Sequence, residues 1–326
     1  MARFDLPVHE LEQYRPAVRA PRDFDEFWKE SLVEARRYDT EMKCERIASP
    51  LETVDVFDVR FPGFDGEPIA GWLLVPTTAS GPRPAMVEYL GYGAGRGLAH
   101  ERLLWASTGF VYLVMDTRGQ GAESGTGGVT PDPHGSDPAH PGFVTRGLRN
   151  PHEHYYRRLI VDAVRAVDAV TALDAVDAER VHVTGVSQGG GLALATAGLH
   201  PGLAGVLADV PFLCHFERAV GFTDRGPYAE VAKYLAVHRG VEDDVFDTLS
   251  YVDAVNFAER ISAPTIISVG LQDAICPPST VFAAYNRIGS EKRICMYPFN
   301  EHEGGQAYQW REQMAFLRGR NERASW

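Results

Sequence analysis

The stretch Val181–His200, VHVTGVSQGGGLALATAGLH, constrains the fold of this chain more than any other segment. A short β-branched run (Val181, Val183, Thr184) leads into GVSQG, and a helix-forming segment of small residues follows at once. Strand, sharp turn and helix in that order are the setting in which G-x-S-x-G forms a nucleophile elbow. The spacing has a steric reason. Ser187 must occupy a strained turn for its hydroxyl to stand clear of a sheet, and Gly185 and Gly189 let strand and helix cross closely around it. The backbone N–H of Gln188, at the start of the helix, then points to where an oxyanion would form.

A parallel sheet is the natural frame for such an elbow, and the rest of the chain reads that way. The helical pattern DFDEFWKESLVEARR lies within the first 40 residues, with Asp23 or Asp25 as its expected N-cap. Strand-like runs follow at Val54–Phe61 and Ile69–Val75, separated by the turn PGFDGEP. Pro84–Tyr89 and Phe110–Asp116 are nearly continuous apolar runs, suited to strands covered on both faces. Residues 117–150 are rich in Gly, Pro, Asp and His without periodicity, and read as a long excursion from the core. Tyr155–Leu173 is an amphipathic helix with Leu159, Ile160, Val164, Val167 and Val170 near one stripe. Gly205–Val210, Thr265–Val269 and Arg293–Tyr297 are further strands, and residues 211–263 hold several helical pieces. The whole predicts an α/β fold with a mostly parallel central sheet.

Composition narrows the function. The formal net charge is −12, with acidic and basic residues interleaved, which argues against nucleic acid or an anionic membrane as the main partner. No apolar run is long enough to span a bilayer, and the N-terminus carries no apolar signal core, so a cytoplasmic location is expected. Cys44, Cys214, Cys276 and Cys295 are widely spaced, without a C-x-x-C pair, and read as reduced thiols.

In a sheet of this kind the partners of a serine nucleophile follow later strands, the acid first and then the histidine. After PTIISVG comes LQDAICPP, which places Asp273 in a strand-end loop. Asp209, at the end of the strand after the elbow, is the rival acid, and strand order favours Asp273. After RICMYPFN comes EHEGG, and His302 is the one histidine C-terminal to Asp273. A second oxyanion donor belongs on a loop after an early strand. VEYLGYGAGRG, with Gly91, Gly93, Gly95 and Gly97, suits that position and places the donor at Tyr92. His134, His140, His152 and His154 gather loosely in and after the excursion. They lack the companion acids or cysteines of a metal site and read as surface histidines. Phe212, Phe216 and Tyr228 could line a pocket, but core or subunit packing is the favoured reading.

DTRGQG (116–121), GVSQGGG (185–191) and NEHEGG (300–305) together resemble carbohydrate esterase family seven, the acetyl xylan esterases and cephalosporin C deacetylases. PGFVTRG, YYRR, DVPFLCHF, LSYVDAVNFAER and VGLQDAICPPSTVFAAYN extend the likeness over essentially the whole chain. One departure is Val186, where many members carry glycine before the serine. The resemblance implies a single α/β-hydrolase domain over residues 1–326, with an N-terminal extension at 1–40, an excursion at 117–150 and a helical insertion at 211–263. It implies deacetylation of small acetyl esters with neither metal nor organic cofactor. Ser187 then matches the nucleophile, Asp273 the acid and His302 the base, while the Tyr92 and Gln188 amides match the oxyanion donors. The RGQ motif at Arg118, Gly119 and Gln120 takes a scaffolding role. The family also implies a homohexamer, for which Phe27, Trp28, Phe143 and Val144 are candidate subunit contacts. A prolyl-oligopeptidase-type peptidase shares fold and triad but needs a propeller for which there is no room. A dienelactone hydrolase would carry cysteine at position 187. A broad short-chain carboxylesterase remains the alternative within esterases, and a non-catalytic hydrolase scaffold would be expected to lack a triad member.

Overall fold

The computed structural model describes residues 5–78 and 81–319. Nine strands form one sheet: β1 (Lys43–Ile47), β2 (Val54–Pro62), β3 (Pro68–Pro76), β4 (Arg83–Tyr89), β5 (Val111–Met115), β6 (Val176–Val186), β7 (Gly205–Asp209), β8 (Thr265–Gly270) and β9 (Lys292–Tyr297). Their order is β1-β2-β3-β5-β4-β6-β7-β8-β9. The first three strands and the β3–β5 pair run antiparallel, and every pair from β5 through β9 is parallel. Residues of β5 (VYLVM) and β8 (TIISVG) are all buried, so these strands lack the alternation of a one-sided sheet. β1 (KCERI) is exposed at every position and carries no apolar alternation that would mark it as a strand in the sequence.

Helix Tyr155–Thr171 sits between β5 and β6 in sequence, and helix Gln188–Leu199 follows β6. The apolar stripe expected of the first meets the core, yet its opposite side is buried too. That side carries Arg157, Arg158, Asp162 and Arg165, which pair with Glu34, Asp132, Arg118 and Asp168 instead of facing water. The excursion contains no helix or strand among its residues 117–150. Its start is held by Asp116, whose carboxylate accepts the N–H groups of Arg96, Val129 and Thr130 at 2.7–2.8 Å.

The residues nominated for subunit contacts are used inside the chain. In helix Phe24–Ala35, Phe27 packs edge-on against Trp28 and His152, and Trp28 Nε1 donates to the Tyr251 carbonyl at 2.9 Å. Val144 is fully buried, and the Phe143 ring meets Tyr92 and Tyr155. These side chains therefore give no support to an oligomer. Phe212, Phe216 and Tyr228 form a buried cluster with ring centroids 4.6–5.8 Å apart, as the core reading expected. Asp23 holds the N-cap position of its helix without capping it; its carboxylate accepts the Tyr251 hydroxyl at 2.6 Å instead. All four cysteines are free thiols.

Candidate active site

The parallel strands end on one side of the sheet, and three of those ends converge. Ser187 follows β6 directly, with φ 58° and ψ −117°, in the positive-φ region that side chains avoid. Surrounding backbone holds it there: Ser187 N–H donates to the Asp209 carbonyl at 2.9 Å, and its own carbonyl accepts from Gly191 and Phe212. The two motif glycines are sterically required. A Cβ on Gly185 would overlap the Gly189 backbone, and one on Gly189 would overlap the Tyr89 carbonyl oxygen.

Asp273 lies beyond β8 and His302 beyond β9, as strand order predicted. His302 Nε2 is 2.8 Å from Ser187 Oγ, and its Nδ1 is 2.7 Å from Asp273 Oδ2. Asp273 is fully buried, and its other oxygen accepts the N–H groups of Ile275 at 2.8 Å and Cys276 at 2.9 Å. The His302 side chain is 22% exposed while Ser187 and Asp273 are buried, so the row reaches solvent through its histidine. A hydroxyl, an imidazole and an oriented carboxylate in this sequence can pass the serine proton to the ring as the oxygen attacks.

Asp209, the rival acid, makes no such contact. Its Oδ2 accepts Gln313 Nε2 at 2.8 Å, and burial pushes its carboxyl up to about 7. It is a structural residue that ties β7 to the C-terminal helix Gln306–Leu317.

Gln188 opens its helix, so its N–H has no acceptor within that helix. Its side chain reaches the glycine-rich loop. Gln188 Oε1 accepts from Tyr156 and from Gln120 Nε2, both at 2.9 Å, and Gln188 Nε2 donates to the Leu90 carbonyl at 3.1 Å. Gln120 Oε1 accepts the Gly93 N–H at 2.7 Å. The pair thus fixes the turn holding Tyr92 relative to the elbow. Arg118 is fully buried and bonds Asp162, Glu67 and Asp132. The RGQ motif is scaffolding in this concrete sense: one residue anchors the excursion and another links two loops of the site.

The excursion's histidines do not assemble. His134 meets Glu67, His140 its neighbour Pro141, His152 the Phe27 ring, and His154 the Val144 carbonyl. Burial pushes the His154 imidazole down to about 4. Among the described residues, one group has His, Cys and carboxylate ligand atoms close together: Asp273, Cys276 and His302, all within 4.8 Å of one another. Cys276 was not singled out from the sequence. Its thiol is buried and pushed well above the usual range, so it stays protonated beside the histidine. Two of these three side chains, Asp273 and His302, already bond to each other.

The family pattern described as acetyl xylan esterase (AXE1) matches residues 1–320. Acetyl esterase Axe7A of Xylanibacter ruminicola is 32% identical over 299 residues, and the match spans 89% of this chain and 65% of that protein's length. The structure resembles an acetyl xylan esterase from Paenibacillus sp. R4, with TM-score 0.91 and 38% identity, covering 97% of this chain and all of that one. Acetyl xylan esterase 1 from Thermoanaerobacterium sp. JW/SL YS485 is similar, with TM-score 0.89 and 33% identity over 97% of this chain and 99% of that one. An acylaminoacyl peptidase from Pyrococcus horikoshii, 17% identical with TM-score 0.61, covers 85% of this chain and 44% of its own, and shares the fold alone. Among the described residues no helix is long and apolar enough to cross a membrane. With a match over nearly its whole length, the chain belongs to the acetyl xylan esterase family of carboxylic ester hydrolases, on an α/β-hydrolase fold.

Proposed function

We propose that the chain removes acetyl groups from acetylated xylo-oligosaccharides and other small acetyl esters, cephalosporin C among them, through an acyl-enzyme on Ser187. The observation that carries the reading is the unbroken row Ser187 Oγ, His302 and Asp273 at 2.8 and 2.7 Å. His302 takes the Ser187 proton as Oγ bonds to the acetyl carbonyl carbon, and Asp273 holds the ring in the right tautomer and stabilises its charged form. The Tyr92 and Gln188 N–H groups receive the oxyanion, each contributing roughly 3 kcal/mol. The leaving alcohol takes the proton from His302. Water, deprotonated by the same ring, then attacks the acetyl carbon, and acetate departs as the Ser187 oxygen is reprotonated. The reading involves no metal and no organic cofactor, and it carries with it a cytoplasmic enzyme working as a homohexamer.

A rate panel tests the substrate class: p-nitrophenyl esters from acetyl to octanoyl, with acetylated xylo-oligosaccharide and cephalosporin C alongside. Acetyl should lead butyryl clearly, and the oligosaccharide should release acetate. Rates that climb with acyl length would replace the deacetylase with a broad carboxylesterase. Light scattering of the same preparation reads the assembly, and a mass of 35.9 kDa would discard the hexamer.

A further inference from the structure

Tyr92 is held by a carboxylate that the reaction does not consume. Glu230 lies in helix Tyr228–Val237 and is 9% exposed. Its Oε1 accepts the Tyr92 hydroxyl at 2.6 Å, and its Oε2 accepts the Val144 N–H at 3.3 Å. The Tyr92 oxygen in turn accepts the Phe143 N–H at 2.5 Å. Gly142 completes the fit, because a Cβ there would overlap the Glu230 carboxylate. Three segments far apart in sequence therefore meet at this one carboxylate: the glycine-rich loop, the end of the excursion and the helical segment after β7.

The same residue is clamped from its other side. Gly93 N–H, the next amide along, donates to Gln120 Oε1 at 2.7 Å. The Tyr92 ring meets Phe143 and Phe212 edge-on at 5.4 and 6.3 Å, which limits its swing. The Gly91 carbonyl, which shares a peptide plane with the Tyr92 N–H, accepts the Ala94 N–H at 3.2 Å. The side chain and the peptides on both sides of Tyr92 are therefore held, and the direction of its N–H with them. Direction matters because a backbone donor stabilises an oxyanion only if it is in place before charge develops. Burying a carboxylate on O–H and N–H donors is also a costly way to obtain packing alone, which an apolar pair would supply more cheaply.

We propose that Glu230 is a positioning residue for the oxyanion hole, acting through the Tyr92 hydroxyl to aim the Tyr92 amide. The proposal rests on the reading of Tyr92 as an oxyanion donor.

The test uses Tyr92→Phe, Glu230→Gln, Glu230→Ala and the double variant Tyr92→Phe/Glu230→Ala, with Ser187→Ala beside them. Measured are kcat and KM on p-nitrophenyl acetate, the Ki of a trifluoromethyl ketone that forms a tetrahedral adduct with serine, and Tm. Tyr92→Phe removes the hydroxyl and keeps the ring. It should lower kcat about 10- to 100-fold with KM changed less than about threefold, and weaken the ketone by the same factor as kcat. Glu230→Ala should match it, and the double variant should be no worse than either single change. Glu230→Gln, whose amide oxygen can still accept from Tyr92, should recover most of the rate. A lower Tm with wild-type kcat and Ki, or losses that multiply in the double variant, would overturn the proposal. Activity surviving in Ser187→Ala overturns the site reading and this inference with it. An inactive Ser187→Ala beside a wild-type Tyr92→Phe overturns the inference alone.

Discussion

The Arg118 guanidinium grips the Asp162 carboxylate through two hydrogen bonds, 2.5 Å from Nε and 2.8 Å from Nη2, and neither side chain is exposed. Asp162 also accepts the Phe64 N–H at 2.8 Å, so the pair fixes the β2–β3 turn to the central helix. Removing Arg118 leaves the Asp162 carboxylate buried without its counter-charge. Arg118→Ala should lower unfolding free energy by about 3–5 kcal/mol. Urea denaturation measures this, and a midpoint near the wild-type value would show that the buried charge finds another partner.

Asp273→Asn keeps the shape of the acid but lets the His302 ring adopt the wrong tautomer. A loss of roughly ten thousandfold in kcat is expected, as an analogous change costs in a serine protease. Asp209→Asn should stay within a few-fold of wild type, because Asp209 bonds Gln313 and not the histidine. Steady-state kinetics on p-nitrophenyl acetate decides between them, and the reverse pattern would transfer the acid to β7.

Asp209 has a pH signature of its own. Burial raises its folded-state carboxyl to about 7, with Ser268, Gln309 and Gln313 pulling it back only in part. An unfolded aspartate titrates near about 3.9. The folded chain therefore holds an extra proton between these values. The stability contributed by neutral Asp209 is complete below the unfolded value and is lost as pH rises through the folded one. Asn at this position cannot ionise. The Tm of Asp209→Asn relative to wild type should rise between pH 4 and 7 and level off above, and a pH-independent gap would mean that the carboxyl titrates normally.

The elbow glycines invite a paired test. Gly189→Ala would drive a methyl into the Tyr89 carbonyl, at a contact between two backbones that cannot yield cheaply. Expression with a sharply lowered Tm, or none in soluble form, is the expected result. A Cβ on Gly221, inside helix Phe216–Phe222, meets nothing within 4 Å. Gly221→Ala should leave Tm unchanged or raise it, since alanine is favoured over glycine in helices by about 0.5–1 kcal/mol.

What could be read from the residues was local or followed a rule of chain order. VYLVM and TIISVG announce buried strands, GVSQG announces its own turn, and Asp273 and His302 follow from the strands that precede them. What could not be read depends on which surface covers which. Phe27, Trp28, Phe143 and Val144 looked surplus to a hydrolase core, yet Phe27, Trp28 and Val144 are buried within their own chain and Phe143 packs half-buried against its core. Arg158 and Asp162 occupy what resembles a solvated helix face until Asp132 and Arg118 arrive from the excursion. Tyr92 and Glu230 stand 138 positions apart, and nothing in either neighbourhood advertises the other. β1 is not legible in the sequence because strand pairing alone, without apolar burial, holds it in place.

That outer strand also governs how copies of the chain behave when crowded. Among the described residues β1 forms one border of the sheet, with an outer ladder of peptide groups that can template another strand. Lys43, Glu45 and Arg46 put charges of both signs along this border, and a strand arriving from a second molecule would have to strip water from them. Cys44 sits among them, exposed and reduced. A disulfide between two such thiols would join two borders covalently and bypass the protection that the charges give.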